Sequence, residues 1–172
     1  MAATERTERT EIRAARTAPD VAQARALFEE YAGALGVDLC FQGFAEELAT
    51  LPGAYAPPLG RLLLAGPAGA AFGCIALRPL PGPGERGSGA VPACGEVKRL
   101  YVRPERRGTG CGRELAERVI AEARRIGYRE LKLDTLATMA PAQRLYLALG
   151  FVPCAPYYAN PLAGVVYMSR RL

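Results

Sequence analysis

Three glycines spaced two apart, Gly108, Gly110 and Gly112, stand among Arg106, Arg107 and Arg113 and carry the most chemical information in this 172-residue chain. Glycine takes backbone angles that other residues avoid, and it leaves no Cβ between a ligand and the amide N–H groups. An alternating apolar run ends at Pro104 just before these glycines, and a helical pattern opens just after them. The first turn of a helix adds unpaired N–H donors and the positive end of the helix dipole. The stretch from Glu96 to Gly112 therefore reads as a strand, a tight turn and a helix start that suit a phosphate or pyrophosphate.

Two common phosphate-loop patterns fit poorly. The Walker pattern needs a lysine after its last glycine, and the dinucleotide fingerprint needs G-x-G-x-x-G, whereas the run here is G-x-G-x-G with an arginine in front. The run Arg107, Gly108, Thr109, Gly110, Cys111, Gly112, preceded by the strand Leu100 to Glu105, resembles motif A of the GNAT superfamily of acetyl-CoA-dependent N-acyltransferases, R/Q-x-x-G-x-G/A. A later stretch resembles that family's second signature, N-x-x-A-x-x-x-Y-x-x-x-G-F. Ala142, Tyr146, Gly150 and Phe151 stand at its spacings, with Met139 in place of the asparagine.

The resemblance implies acetyl-CoA as cosubstrate. The backbone N–H groups of Leu100 and Val102 would meet the pantetheine and thioester carbonyl, and the amides of Arg107, Gly108, Thr109, Gly110, Cys111, Gly112 and Arg113 would hold the pyrophosphate. Tyr146 falls where the family's general acid lies; the alternative is a core tyrosine with a bonded hydroxyl. Glu96 is the candidate base, against a substrate-orienting role, a salt bridge with an arginine, or water acting alone. Strand alternation puts the side chains at 96, 98, 100 and 102 on one face. On the acceptor side the resemblance points to Phe41 and Gln42, with Phe44 and Tyr55 close by; the alternative is that these aromatics are core. Tyr157, Tyr158 and Asn160 in the last loop are further acceptor-side candidates. The function implied is transfer of acetyl to a primary amine of a small molecule or peptide, by direct attack in a ternary complex. A catalytically silent CoA-binding or regulatory module is the alternative, and Met139 leans that way.

The rest of the composition narrows the field. Half the residues are apolar and 23% are charged, as in ordinary globular proteins. No apolar run is long enough to cross a bilayer and no secretory leader stands at the N-terminus, which predicts a cytoplasmic protein without a membrane partner. The net charge of +5 is mild and the 22 cations form no long basic block, which argues against nucleic acid. Five scattered cysteines without a C-x-x-C pair, and no histidine at all, argue against a metal site and a disulfide framework. Without histidine, Cys111 has no base to activate it and reads as packing. A homodimer is possible on the resemblance.

Residues 1–10 repeat a T-E-R unit and read as a disordered lead to a single GNAT domain over 11–172. A short strand at 11–16 precedes a helix carrying Val21, Ala24, Leu27, Phe28 and Tyr31, and a second helix covers about 42–50. Strands at 61–65, 70–80 and 94–103 follow, the last two joined by the Pro- and Gly-rich loop 79–92. A helix over about 110–126, a strand around Leu131 to Thr135, a helix opened by Pro141 and closed by Gly150, and two last strands complete the chain. That order is an α/β layout and matches the order of the GNAT family, and the resemblance implies the GNAT fold. Its central sheet is mixed but mostly antiparallel, with about six to seven strands and about four flanking helices.

Overall fold

The computed structural model describes residues 10–82 and 91–172, with the side chain of Phe41 left aside. The expected disordered lead and the middle of the 79–92 loop lie outside the described residues. The elements appear in the predicted order: β1 (Ile12–Ala14), α1 (Ala18–Leu35), α2 (Phe44–Thr50), β2 (Arg61–Ala65), β3 (Gly73–Pro79), β4 (Cys94–Val102), α3 (Cys111–Ile126), β5 (Glu130–Leu136), α4 (Ala140–Ala148), β6 (Val152–Pro153) and β7 (Val165–Arg171). The strands form one seven-stranded sheet in the order β1-β2-β3-β4-β5-β7-β6. Among the described residues only the β4–β5 pair is parallel.

Each face of the sheet carries its own apolar layer. Leu63, Ile75, Leu77, Val97, Leu131 and Leu133 meet Leu115, Ala116, Val119 and Ala123 of α3 and Tyr146 and Leu149 of α4. On the other face Leu62, Leu64, Cys74 and Ala76 meet Ala24, Leu27 and Phe28 of α1. Alternation along β2 and β3 supplies both layers at once. Thr17 starts α1 with a capping box, since its side chain accepts from the Asp20 N–H while the Asp20 carboxylate accepts from the Thr17 N–H. Gly127, with φ 105°, ends α3 in the left-handed conformation that glycine takes most readily.

The irregularity that matters lies in β4. Arg99 has φ 59° and is the one non-glycine residue with positive φ among the described residues. The β3–β4 register slips at the same place, with Cys74 opposite Tyr101 but Ala76 opposite Lys98. This bulge corrects the expectation of a common face. Glu96 and Lys98 point toward the α1 and α2 side with Arg78 and Ala76, whereas Leu100 and Val102 join the α3 side. Arg99 is 4% exposed and is gripped in its unusual geometry by Glu47 of α2, through contacts of 2.9 and 2.6 Å, and by the rings of Phe44 and Tyr31 at 5.0 and 5.8 Å. Already before the bulge β4 leaves β5. Their pairing runs from Cys94↔Glu130 to Glu96↔Lys132 and stops, although both strands continue.

Candidate active site

The gap between β4 and β5 is a cleft through the sheet. One part is lined by Tyr31 and Leu35 of α1, Lys98 and Leu100 of β4, Asp134 of β5 and Tyr146 of α4. A second part shares Tyr31, Leu35, Leu100, Met139 and Ala142 with the first and runs on past Val102 and Thr138 to Arg107. The cleft therefore leads from the glycine turn to a buried polar group at its head.

At the glycine-turn end the chain is built as the sequence predicts. Gly108 and Gly110 have φ of 77° and 90°, and a Cβ at either would meet open space, so it is conformation rather than crowding that calls for glycine there. Gly112 has neither a positive φ nor a close neighbour. The first backbone bond of α3 runs from the Glu114 N–H to the Gly110 carbonyl, so the N–H groups of Cys111, Gly112 and Arg113 have no partner within the helix. Thr109 donates its hydroxyl hydrogen bond to the Arg106 carbonyl at 2.8 Å and so braces the turn. Arg107 donates to the Val102 carbonyl at 2.8 Å, which leaves its charge beside the cleft mouth. Arg113 is exposed and pairs with Glu117 at 3.0 Å. The Cys111 side chain is 1% exposed in the α3 layer, and burial with the nearby Glu114 charge pushes its thiol up to about 11. Only its backbone faces the turn.

Tyr146 sits in the wall of the cleft, 7% exposed, with its ring edge-on to Phe151 at 5.6 Å. Burial, reinforced by Tyr31 and Asp134, pushes its phenol above the usual tyrosine value, so it holds its proton through the neutral range. Glu96 is fully buried and fully engaged. Its carboxylate accepts from Arg78 at 2.7 Å and from the Tyr157 hydroxyl at 3.0 Å, with the Lys98 ammonium 3.7 Å away. It does not line the cleft, but its neighbours Lys98 and Asp134 do.

Asp134 is the residue that sequence reasoning missed. It accepts from Lys98 Nζ at 3.0 Å and from the Tyr158 hydroxyl at 2.9 Å. The Tyr158 oxygen in turn accepts from Asn160 at 2.8 Å and from Gln42 at 3.2 Å. Three of the acceptor-side candidates, Gln42, Tyr157 and Tyr158, thus meet in one network with Glu96 and Asp134, as does Asn160. Tyr157, Tyr158 and Tyr167 pack their rings 5.3 to 5.7 Å apart behind it. Tyr55 instead belongs to the core, 2% exposed against Phe28, with its hydroxyl on Glu47. The signals for the missed pair were slight: Lys98 is one of two lysines in the chain, and Asp134 is a polar residue alternating with leucines in β5.

Residues 23–151 match the acetyltransferase (GNAT) family. The chain belongs to that family. A Schizosaccharomyces pombe protein described as an uncharacterized N-acetyltransferase is 42% identical to this GNAT chain over 162 residues, covering 94% of each. An acetyltransferase structure from Streptococcus agalactiae superposes with a TM-score of 0.74 at 19% identity, covering 96% of this chain and 99% of that one. A Salmonella typhimurium structure, described as a putative acetyltransferase with its cofactor acetyl-CoA, gives a TM-score of 0.63 at 24% identity over 94% of this chain and 93% of that one. The chain is a GNAT-type N-acetyltransferase with the family's sheet and helices.

Proposed function

We propose that this GNAT enzyme moves an acetyl group from acetyl-CoA to the primary amine of a small molecule or peptide, by direct attack with both substrates bound. The observation that carries the reading is the continuous cleft from the glycine turn to the Lys98–Asp134 pair. The left-handed glycines, the open space beside them and the unpaired amides of the α3 start fit a pyrophosphate. Acetyl-CoA, when bound, supplies the activated acetyl thioester. The Salmonella neighbour's cofactor supports this choice of donor.

The chain's own residues do the rest. The amides from Arg107 to Arg113 anchor the anion, and the unpaired β4 edge at Leu100 and Val102 orients the arm through its N–H groups. Tyr146, held protonated by burial, is the proton donor on the cleft wall. The acceptor amine must lose a proton, and two carboxylates stand at the head. Asp134 touches the cleft, whereas Glu96 lies one ion pair behind it and holds Lys98. That favours Asp134, or a water on it, as the proton acceptor, with Glu96 positioning the pair. Gln42, Tyr157 and Tyr158 frame the acceptor side; Phe41, whose side chain is outside the described residues, stays with them as a sequence-based candidate.

The test is free-thiol release from acetyl-CoA across a panel of primary amines, with the unfolding midpoint followed alongside, since a ligand bound only to the folded state raises it. Amine-dependent release is the expected result. A midpoint raised by CoA without release for any amine would favour the silent CoA-binding module, to which Met139 at the helix start of α4 leans. No shift with either CoA species would overturn both readings.

A further inference from the structure

Where β1 ends at Ala14 and the chain turns toward α1, a cavity opens at the corner of the sheet. Arg13, Arg16, Arg61 and Arg118 line it, with Tyr55, Pro52 and Pro57 on the apolar side. It shares no lining residue with the cleft.

The charges of this cavity do not balance. Glu122 of α3 is the one carboxylate among its lining residues, and it serves three guanidiniums at once: Arg61 at 3.0 Å, Arg118 at 3.1 Å and Arg125 at 2.8 Å. Arg13 pairs with Asp20, and its Nε and Nη2 have no hydrogen-bond partner among the described residues. Arg16 is exposed at the rim. Four guanidiniums, those of Arg13, Arg16, Arg61 and Arg118, thus line the cavity with the single carboxylate of Glu122, which Arg125 also engages from outside it. Like charges gathered around one carboxylate repel one another. An anion seated among them relieves that repulsion, and guanidinium forks match phosphate oxygens in geometry.

We propose that this cavity is a second ligand site, for a small polyvalent anion of the pyrophosphate or phosphate-ester class, separate from the glycine turn. Pro52 and Pro57 give an organic portion of the ligand an apolar surface to lie on. The site does not depend on the acetyltransferase reading, and its test keeps the two apart.

Inorganic pyrophosphate is titrated by calorimetry, at constant ionic strength, into protein already saturated with coenzyme A. Binding to this protein is expected, weakened at least tenfold in the Arg16→Ala/Arg118→Ala double variant. A control double variant, Arg144→Ala/Arg171→Ala, removes the same charge from exposed positions elsewhere and is expected to bind normally. All four side chains are exposed or half-exposed, and matched unfolding midpoints verify that each variant is folded. Absence of binding to the CoA-saturated protein, or equal weakening in both double variants, or unchanged binding in Arg16→Ala/Arg118→Ala, overturns the proposal.

Discussion

Tyr146 and Asp134 line the same cleft, and their substitutions separate proton donation from proton acceptance. Tyr146→Phe is expected to lower kcat by about 10²-fold or more, the usual scale for a positioned acid, while acetyl-CoA affinity stays within a few-fold. Because burial raises the Tyr146 phenol above its usual value near 10, no alkaline loss of kcat from this group is expected below about pH 10; a pH–rate profile checks this. Asp134→Asn is expected to cost more in kcat than Glu96→Gln, and the reverse order would return the proton acceptor to Glu96. The glycine turn was legible in the sequence from short-range spacing, and Tyr146 was a candidate through the resemblance alone. Asp134 was not, since its importance comes from Lys98, Tyr158 and Gln42, which reach it across long chain separations.

Among the elements, α3 is well foretold, as is the span of β4, whose bulge is not. An apolar stripe and a terminal glycine suffice to predict α3, and Leu115→Ala is expected to destabilise the protein by about 2–5 kcal/mol in a denaturant titration because Leu115 is completely buried. The bulge in β4 has no local signature, since arginine is no turn former and its left-handed backbone is sustained from outside by Glu47, Phe44 and Tyr31. Arg99→Ala leaves the Glu47 carboxylate buried without its main partner and is expected to cost about 3–5 kcal/mol by the same measurement. One unpredicted residue thus reverses which side chains of β4 look into which layer.

For the molecule as a whole, several buried or half-buried carboxylates are tied to arginines, and this sets its response to acid. In Glu47 burial works to raise the pKa, but hydrogen bonds and charge from Arg99 outweigh it and hold the carboxyl below its usual value; Glu122 is held down in the same way by Arg61 and Arg118. A group depressed on folding contributes stability that is complete above its unfolded value, near 4.5, and lost as pH falls through the lower folded value. Stability is therefore expected to fall as the pH drops below about 4.5, and urea unfolding of Glu47→Gln is expected to depend less steeply on pH there than the parent protein. The α/β layout was legible from the alternation of elements and the mixed, mostly antiparallel sheet from the resemblance, whereas the order of strands within the sheet was not, because pairings between distant segments fix it; the splay of β4 from β5, which the resemblance also implied, begins where pairing stops at Glu96↔Lys132. That splay makes the sheet a partition with a slot in it, bordered by α1 on one side and α4 on the other. Two substrates that approach a slot from opposite ends do not exclude each other, so initial rates measured while varying both should give intersecting double-reciprocal lines, the mark of an enzyme that waits for both guests before it acts.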